Sequence, residues 1–388
     1  MDNKIVFYAG LALMAFILFK GATLRPQEEK TFFDRVTCKE IQGFLAVFIM
    51  FHHIVVLLDS KNRNIGPMIN FFYYGILAVG FFFFCSGFGL LKRWITDKNY
   101  INGFMKRRVF TVLVPFFFCN YIYLTRAIIG NFGSKTNFRL TELVGSFFGF
   151  FLVNIEMWFA VEIMILYLAF RIVFAKVKKP LTGIFIMSAV VVAMMTAGIL
   201  SGHPETMTMS YWFKGEWWYN TVFMFPLGMI YAYKEERINT FIRKAFGSLL
   251  VLTAILIVLL DYFHRILISM GIFYTDRLYD NNNALYDKLH GLGVETVFEI
   301  AFIFMVLLIL SRVRIGNRIL RSLGKISLEI IMMNYLVIDI FYFLYEKYGI
   351  LVYVPAVMAG TLICAAAVYW IKNIVLERRT DFFDGKVQ

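Results

Sequence analysis

Charged side chains are few in this chain: 17% of its 388 residues, where a soluble domain carries about 25%. Set against 60% apolar residues and a mean hydropathy of +0.69, that shortage excludes an ordinary soluble domain, a disordered tail and a nucleic-acid-binding arm. Cysteine is also sparse. Cys38, Cys85, Cys119 and Cys364 form neither a CxxC pair nor a metal-ligand spacing, so no metal site is expected. No Asn opens an N-x-Ser/Thr acceptor, and no repeat or inverted-half symmetry is visible.

What the chain has is apolar length. Stretches able to cross about 30 Å of hydrocarbon lie near 4–20, 41–58, 70–91, 109–129, 157–174, 181–200, 217–233, 246–262, 292–311, 326–345 and 349–371. Eleven spans with short loops form one bundle, so the expected class is all-α, a polytopic integral membrane protein. The stretch 142–156 is apolar but too short to cross, and Asn154 and Glu156 break it. It reads as interfacial or re-entrant. The run Ile5–Phe19 follows one basic residue, Lys4, and lacks a small-x-small cleavage site, so it is expected to remain as a helix. The polar segment 263–291, with Asp280-Asn281-Asn282-Asn283, reads as an extracytoplasmic connector.

Basic residues outnumber acidic ones, 39 to 26, and the place of the excess orients the chain. The segments 20–40, 92–108, 171–180, 234–244, 312–325 and 372–388 hold 28 Lys and Arg, and everything between them holds 11. Basic residues stay on the cytoplasmic side, which places the N-terminus outside and the C-terminus in the cytoplasm of a bacterial plasma membrane. The alternation requires that 142–156 does not cross. The expected organisation is an extra N-terminal helix and linker over 1–35, a ten-span core over 36–372, and a cytoplasmic tail over 373–388. The net charge of +13 thus records orientation and requires no nucleic acid.

Ionisable groups within a bilayer cost roughly 2.5–3.5 kcal/mol each, so each is a functional candidate. Here they are His52, His53, Glu162, Asp261, Glu299, Glu329 and Asp339. At about 100° per residue, Lys39, Gln42 and His53 fall on one stripe of a helix, whereas His52 points elsewhere. An imidazole near neutrality can take a proton from a hydroxyl, which suits His53 to general-base work. The plainer alternative is a buried His satisfied by a neighbouring helix. No carboxylate lies one turn away, so a partner must come from another helix, with Glu299, Glu329 and Glu162 as candidates. Glu329 could instead bind Lys39 or Arg107.

Lys106-Arg107-Arg108 at a helix start fits the positive-inside pattern and could equally hold a phosphorylated ligand such as acyl-CoA. Ser86-Gly87 and Gly87-x-Gly89 suit close helix packing. Glu216-Trp217-Trp218-Tyr219 reads as an interfacial aromatic belt, with sugar stacking as the alternative.

Several of these segments, in order, resemble those of the acyltransferase 3 family of membrane O-acyltransferases. They are Lys39-Glu40-Ile41-Gln42-Gly43-Phe44 through Phe51-His52-His53, then Phe81-Phe82-Phe83-Phe84-Cys85-Ser86-Gly87-Phe88, then Phe104-Met105-Lys106-Arg107-Arg108 followed by Pro115, and then Met157-Trp158-Phe159. Phe225-Pro226-Leu227-Gly228-Met229 and Ser322-Leu323-Gly324-Lys325-Ile326-Ser327-Leu328-Glu329 complete the set. The resemblance covers about 36–372 and implies transfer of an acyl group, usually acetyl from cytosolic acetyl-CoA, to a hydroxyl of a surface glycan or related acceptor. Acyl-CoA enters as a substrate, and no permanently bound cofactor is implied. The family's essential His falls on His53 with His52 adjacent, and its basic segment falls on Arg107 and Arg108. The chain departs from the pattern at Gln42, where many members carry Arg, and at Asn334, where many carry His. In the resulting expectation His53 and His52 are catalytic, while Lys39, Gln42, Lys106, Arg107, Arg108 and Glu329 bind substrate. Two rival readings are a transporter or flippase, disfavoured by having only Pro115, Pro226 and Pro355 within spans, and an inactive family member acting as an assembly partner.

Overall fold

The computed structural model of the chain describes residues 2–26, 28–29, 31–97, 99–130, 139–202, 210–271 and 284–383. Among them, nine helices are long and apolar enough to cross a membrane, and a bent pair, Ser327–Ile340 and Tyr342–Tyr348 at 44°, makes a tenth. The protein is an all-α polytopic membrane protein. The eleventh expected span, 217–233, is built differently. A short helix Trp217–Asn220 is followed by Met224–Lys244, whose second half carries Lys234, Glu235, Glu236 and Arg237 and kinks at Lys234, so only its first half is a membrane-like helix. The polar run 272–283 lies outside the described residues.

The N-terminal helix α1 (Asp2–Phe19) is mostly exposed and buries only Val6, Gly10, Met14 and Ile17, a stripe at helical spacing. It rests on α2 (Arg35–Ser60), whose buried face runs nearly its full length. Beside α2 lies α3 (Gly75–Thr96), and the helix Met224–Lys244 crosses α3 at very close range. A Cβ on Gly87 would stand 1.9 Å from the Phe225 carbonyl oxygen, and one on Gly228 would stand 2.0 Å from that of Phe84. Backbones can approach this closely only without side chains between them. Gly89 faces open space, so of the two glycines in that segment only Gly87 packs a helix. Gly87→Val is expected to destabilise the protein by about 1–3 kcal/mol through overpacking, seen as a lower midpoint for unfolding in detergent.

The Lys- and Arg-rich connections gather at one end of the bundle. Thr23–Leu24 pairs antiparallel with Val313–Arg314, Arg314 meets Glu29 at 2.7 Å, Arg243 bonds to the Glu29 carbonyl, and Lys92 pairs with Glu235. The opposite end has its own ties: Arg63 donates to the Tyr342 hydroxyl at 2.8 Å, and Tyr74 to Asp261 at 2.9 Å. The segment 142–156 contains no helix long enough to cross a membrane. It holds an eight-residue helix, Leu140–Phe147, and a two-residue strand, Phe151–Leu152, paired with Ser210–Tyr211. The last helix, Ile350–Phe383, continues past 372, so most of the expected tail is helical.

Candidate active site

His53 stands deeper than the apolar run 41–58 suggests, because α2 begins at Arg35. Its first turn is capped by Asp34, which accepts from the Thr37 amide at 2.7 Å. At about 1.5 Å per residue, His53 is therefore about 27 Å above the basic end, and Gln42 lies about 16 Å below it.

The His53 ring is buried and engaged at both nitrogens. Asn334 Nδ2 lies 3.3 Å from Nδ1, and Glu156 Oε2 lies 3.1 Å from Nε2. The Asn334 carbonyl oxygen already accepts from the Thr361 hydroxyl at 3.1 Å. The amide therefore turns its NH2 to the imidazole, so Nδ1 accepts and Nε2 carries the proton shared with Glu156. This hydrogen-bonded series fixes the tautomer of His53 and aims it at a carboxylate. A residue that departs from the family pattern, Asn334, thus sits against the His as its orienting donor.

The partner carboxylate comes from the segment 142–156, between two spans. Gly149 turns the chain with φ +76°, and Asn154 accepts from the Glu156 amide at 3.2 Å to start the turn Ile155–Met157. The carboxylates named from sequence stand elsewhere. Glu162 and Glu299 are buried, line neither of the two cavities described below and have no hydrogen-bond partner among the described residues. Glu329 pairs with Lys372 rather than with Lys39 or Arg107. The polar residues that break an apolar run, Asn154 and Glu156, were the available signal, since a carboxylate inside a membrane segment asks for a partner.

Two cavities flank this centre. One, of about 690 Å³, opens among the basic connections and is lined by Arg35, Lys39, Arg108, Arg321, Lys325 and Lys372, with Glu329 its only carboxylate among the described residues. Gln42 lies on its wall. Arg35, Lys39 and Lys325 form no ion pair among the described residues, whereas Arg321 reaches Glu40 at 2.7 Å. Such a concentration of cations suits a polyanionic ligand. Of the sequence triplet only Arg108 reaches this cavity. It lies over the Tyr167 ring at 4.6 Å and donates to the Tyr100 hydroxyl at 2.8 Å. Arg107 donates instead to the carbonyls of Asn102 and Tyr100, which ties down the loop, and Lys106 does not line the cavity. Arg35, Arg321, Lys325 and Lys372 escaped the sequence reading because positive-inside statistics already account for them.

The second cavity, about 620 Å³, lies on the other side of His53 and is lined by both histidines and Glu156. His52 Nδ1 donates to the Phe71 carbonyl at 3.1 Å, and its ring packs where a Cβ on Gly75 would be. It is thus positioned by main chain, while His53 is positioned by side chains. The two cavities share Phe82 and Phe159, whose rings meet edge to face at 6.0 Å between centroids. The pair forms an aromatic partition between a basic chamber and the chamber that holds His53.

These features make a buried, hydrogen-bonded His–carboxylate centre within the helical bundle, with two cavities that share the Phe82–Phe159 pair. Residues 41–370 match the acyltransferase 3 family model, described as an acyltransferase domain, and the chain belongs to that family. It is a membrane acyltransferase. Neither the curated proteins nor the solved structures include a significant match to it.

Proposed function

We propose that the protein transfers an acyl group, acetyl in the simplest case, from cytosolic acyl-CoA to a hydroxyl of a cell-surface polysaccharide or related acceptor. The observation that carries this reading is a pair of chambers that share the Phe82–Phe159 pair, one rich in Lys and Arg and the other lined by His53 and Glu156. The basic end faces the cytoplasm. The donor's phosphates rest among Lys39, Arg108, Arg321 and Lys325, and its thioester arm runs past Gln42 to the Phe82–Phe159 partition. The acceptor hydroxyl enters the other chamber. His53 takes its proton at Nδ1, the Asn334 amide moving aside, as the hydroxyl oxygen bonds to the thioester carbonyl carbon. The carbon–sulfur bond then breaks, and the thiolate leaves to become the CoA thiol on taking up a proton. Glu156 stabilises the imidazolium through Nε2–H, and Asn334 holds the ring in register until the hydroxyl displaces it.

Three expected outcomes test these assignments. Purified protein in nanodiscs releases free thiol from acetyl-CoA in an acceptor-dependent way; absence of release with every hydroxylated acceptor tried would contradict the proposal. Arg108→Gln raises KM for acetyl-CoA by about tenfold, the loss of one charge-assisted contact, with kcat little changed. Phe159→Ala opens the partition, so thiol release without acceptor rises because water reaches the thioester; an unchanged background rate would remove Phe159 from this role.

A further inference from the structure

The wall of the chamber that holds His53 carries polar groups that the transfer step does not use. Asn220 and Thr221, each 1% exposed, line it in the break between the helices Trp217–Asn220 and Met224–Lys244. Asn220 Nδ2 donates to Glu295 Oε2 at 3.0 Å, which leaves its Oδ1 without a hydrogen-bond partner among the described residues. The Thr221 hydroxyl likewise has none. Buried polar atoms are costly to leave unpaired, so these two, set in a chamber large enough for a ligand, mark a place where ligand hydroxyls bond. Trp217, on the same wall, offers an aromatic face, and His264 stands 3.4 Å from Glu295. His264 Nε2 donates to the Tyr73 carbonyl at 2.8 Å, which leaves its Nδ1 on the side of the Glu295 carboxyl.

Charge narrows the ligand further. The chamber is lined by the carboxyl groups of Asp59, Glu156, Glu216 and Glu295 and by no Lys or Arg among the described residues. The lining thus offers a ligand carboxyl groups and no cation among the described residues, the reverse of the basic chamber across the partition. An anionic ring would meet the Glu156 and Asp59 carboxyl groups at low dielectric, with no Lys or Arg among the described lining residues to offset them.

Resting on the acyltransferase reading above, we infer that Asn220, Thr221 and Glu295 with Trp217 form the acceptor subsite, and that it takes a non-anionic sugar ring, neutral or amino-bearing, and rejects uronic acids. The break at 221–223 places Thr221 outside both helices, next to Asn220 at the end of the first.

The test is equilibrium binding to the full-length protein in nanodiscs, using methyl glucoside, methyl glucosaminide and methyl glucuronide as probes. The first two are expected to bind at least tenfold more tightly than the glucuronide. Thr221→Val, which keeps shape and removes only the hydroxyl, and Asn220→Ala are each expected to weaken methyl glucoside binding by about five- to tenfold. Equal or tighter binding of the glucuronide, absence of saccharide binding, or unchanged affinity in Thr221→Val would overturn the subsite. Thiol release from acetyl-CoA, measured separately, distinguishes the two readings. Release without saccharide binding overturns the subsite alone, whereas saccharide binding without release supports the subsite and removes the acyltransferase reading.

Discussion

Replacing His53 with Ala lowers acyl transfer by about 10²–10⁴-fold, the range for losing a positioned general base. The loss should fall on kcat, because His53 lines the chamber opposite the one assigned to the donor phosphates, and KM for acetyl-CoA should move by no more than about twofold. Glu156→Gln is expected to lie near the lower end of that range, since the amide can still accept from Nε2 yet carries no charge to stabilise the imidazolium. The comparison separates chemistry from scaffolding. A His53 that served only to satisfy the bundle would lose stability on replacement and, in the surviving folded fraction, retain its rate per molecule.

The second large effect is structural. Glu329 is fully buried and Lys372 is its partner, so Lys372→Met leaves a buried carboxylate without its cation. Breaking such a pair from one side costs about 3–5 kcal/mol. Lys372→Met should therefore sharply reduce the yield of folded protein and its unfolding midpoint in detergent. Adding Glu329→Leu should recover most of the loss, because removing both charges abolishes the uncompensated burial. Recovery in the double variant would show that Glu329 is a counter-ion for the last helix, in place of the substrate-binding role its sequence position suggested. No recovery would mean that Lys372 acts through contacts other than this pair.

Much of the fold was legible because its physics is local. A span announces itself in about 20 consecutive apolar residues, and ten of the eleven stretches match helices or a bent pair that qualify. The one that does not, 217–233, begins with Trp217-Trp218-Tyr219 and runs into Lys234-Glu235-Glu236-Arg237, two signals that average to a plausible span but fold as separate pieces. Gly87 was readable as a packing residue from its small size alone; its true partner, the Phe225 carbonyl, was not.

The site was legible by halves. The phase of α2 put Lys39, Gln42 and His53 on one stripe, but the structure divides them: Lys39 and Gln42 line the basic chamber and His53 the other. Helical phase says which face a residue occupies and nothing about an aromatic pair contributed by two other helices. Glu156 is 103 positions from His53 in the chain, and no periodicity links them. Its segment also has the look of a defective span, when the defect is what delivers a carboxylate into the bundle. The basic triplet shows the opposite error, since adjacency in sequence suggested a shared role and only Arg108 turns inward.

In the proposed reaction, donor and acceptor enter from opposite ends and meet at His53. Proteoliposomes holding the protein in one orientation test it most directly, with radiolabelled acetyl-CoA supplied only on the side of the basic end and a neutral saccharide acceptor only on the other. Acetylated saccharide should form on its own side while free CoA thiol accumulates on the donor side, and His53→Ala vesicles should give neither. Product that forms only when both substrates share one side would contradict the account.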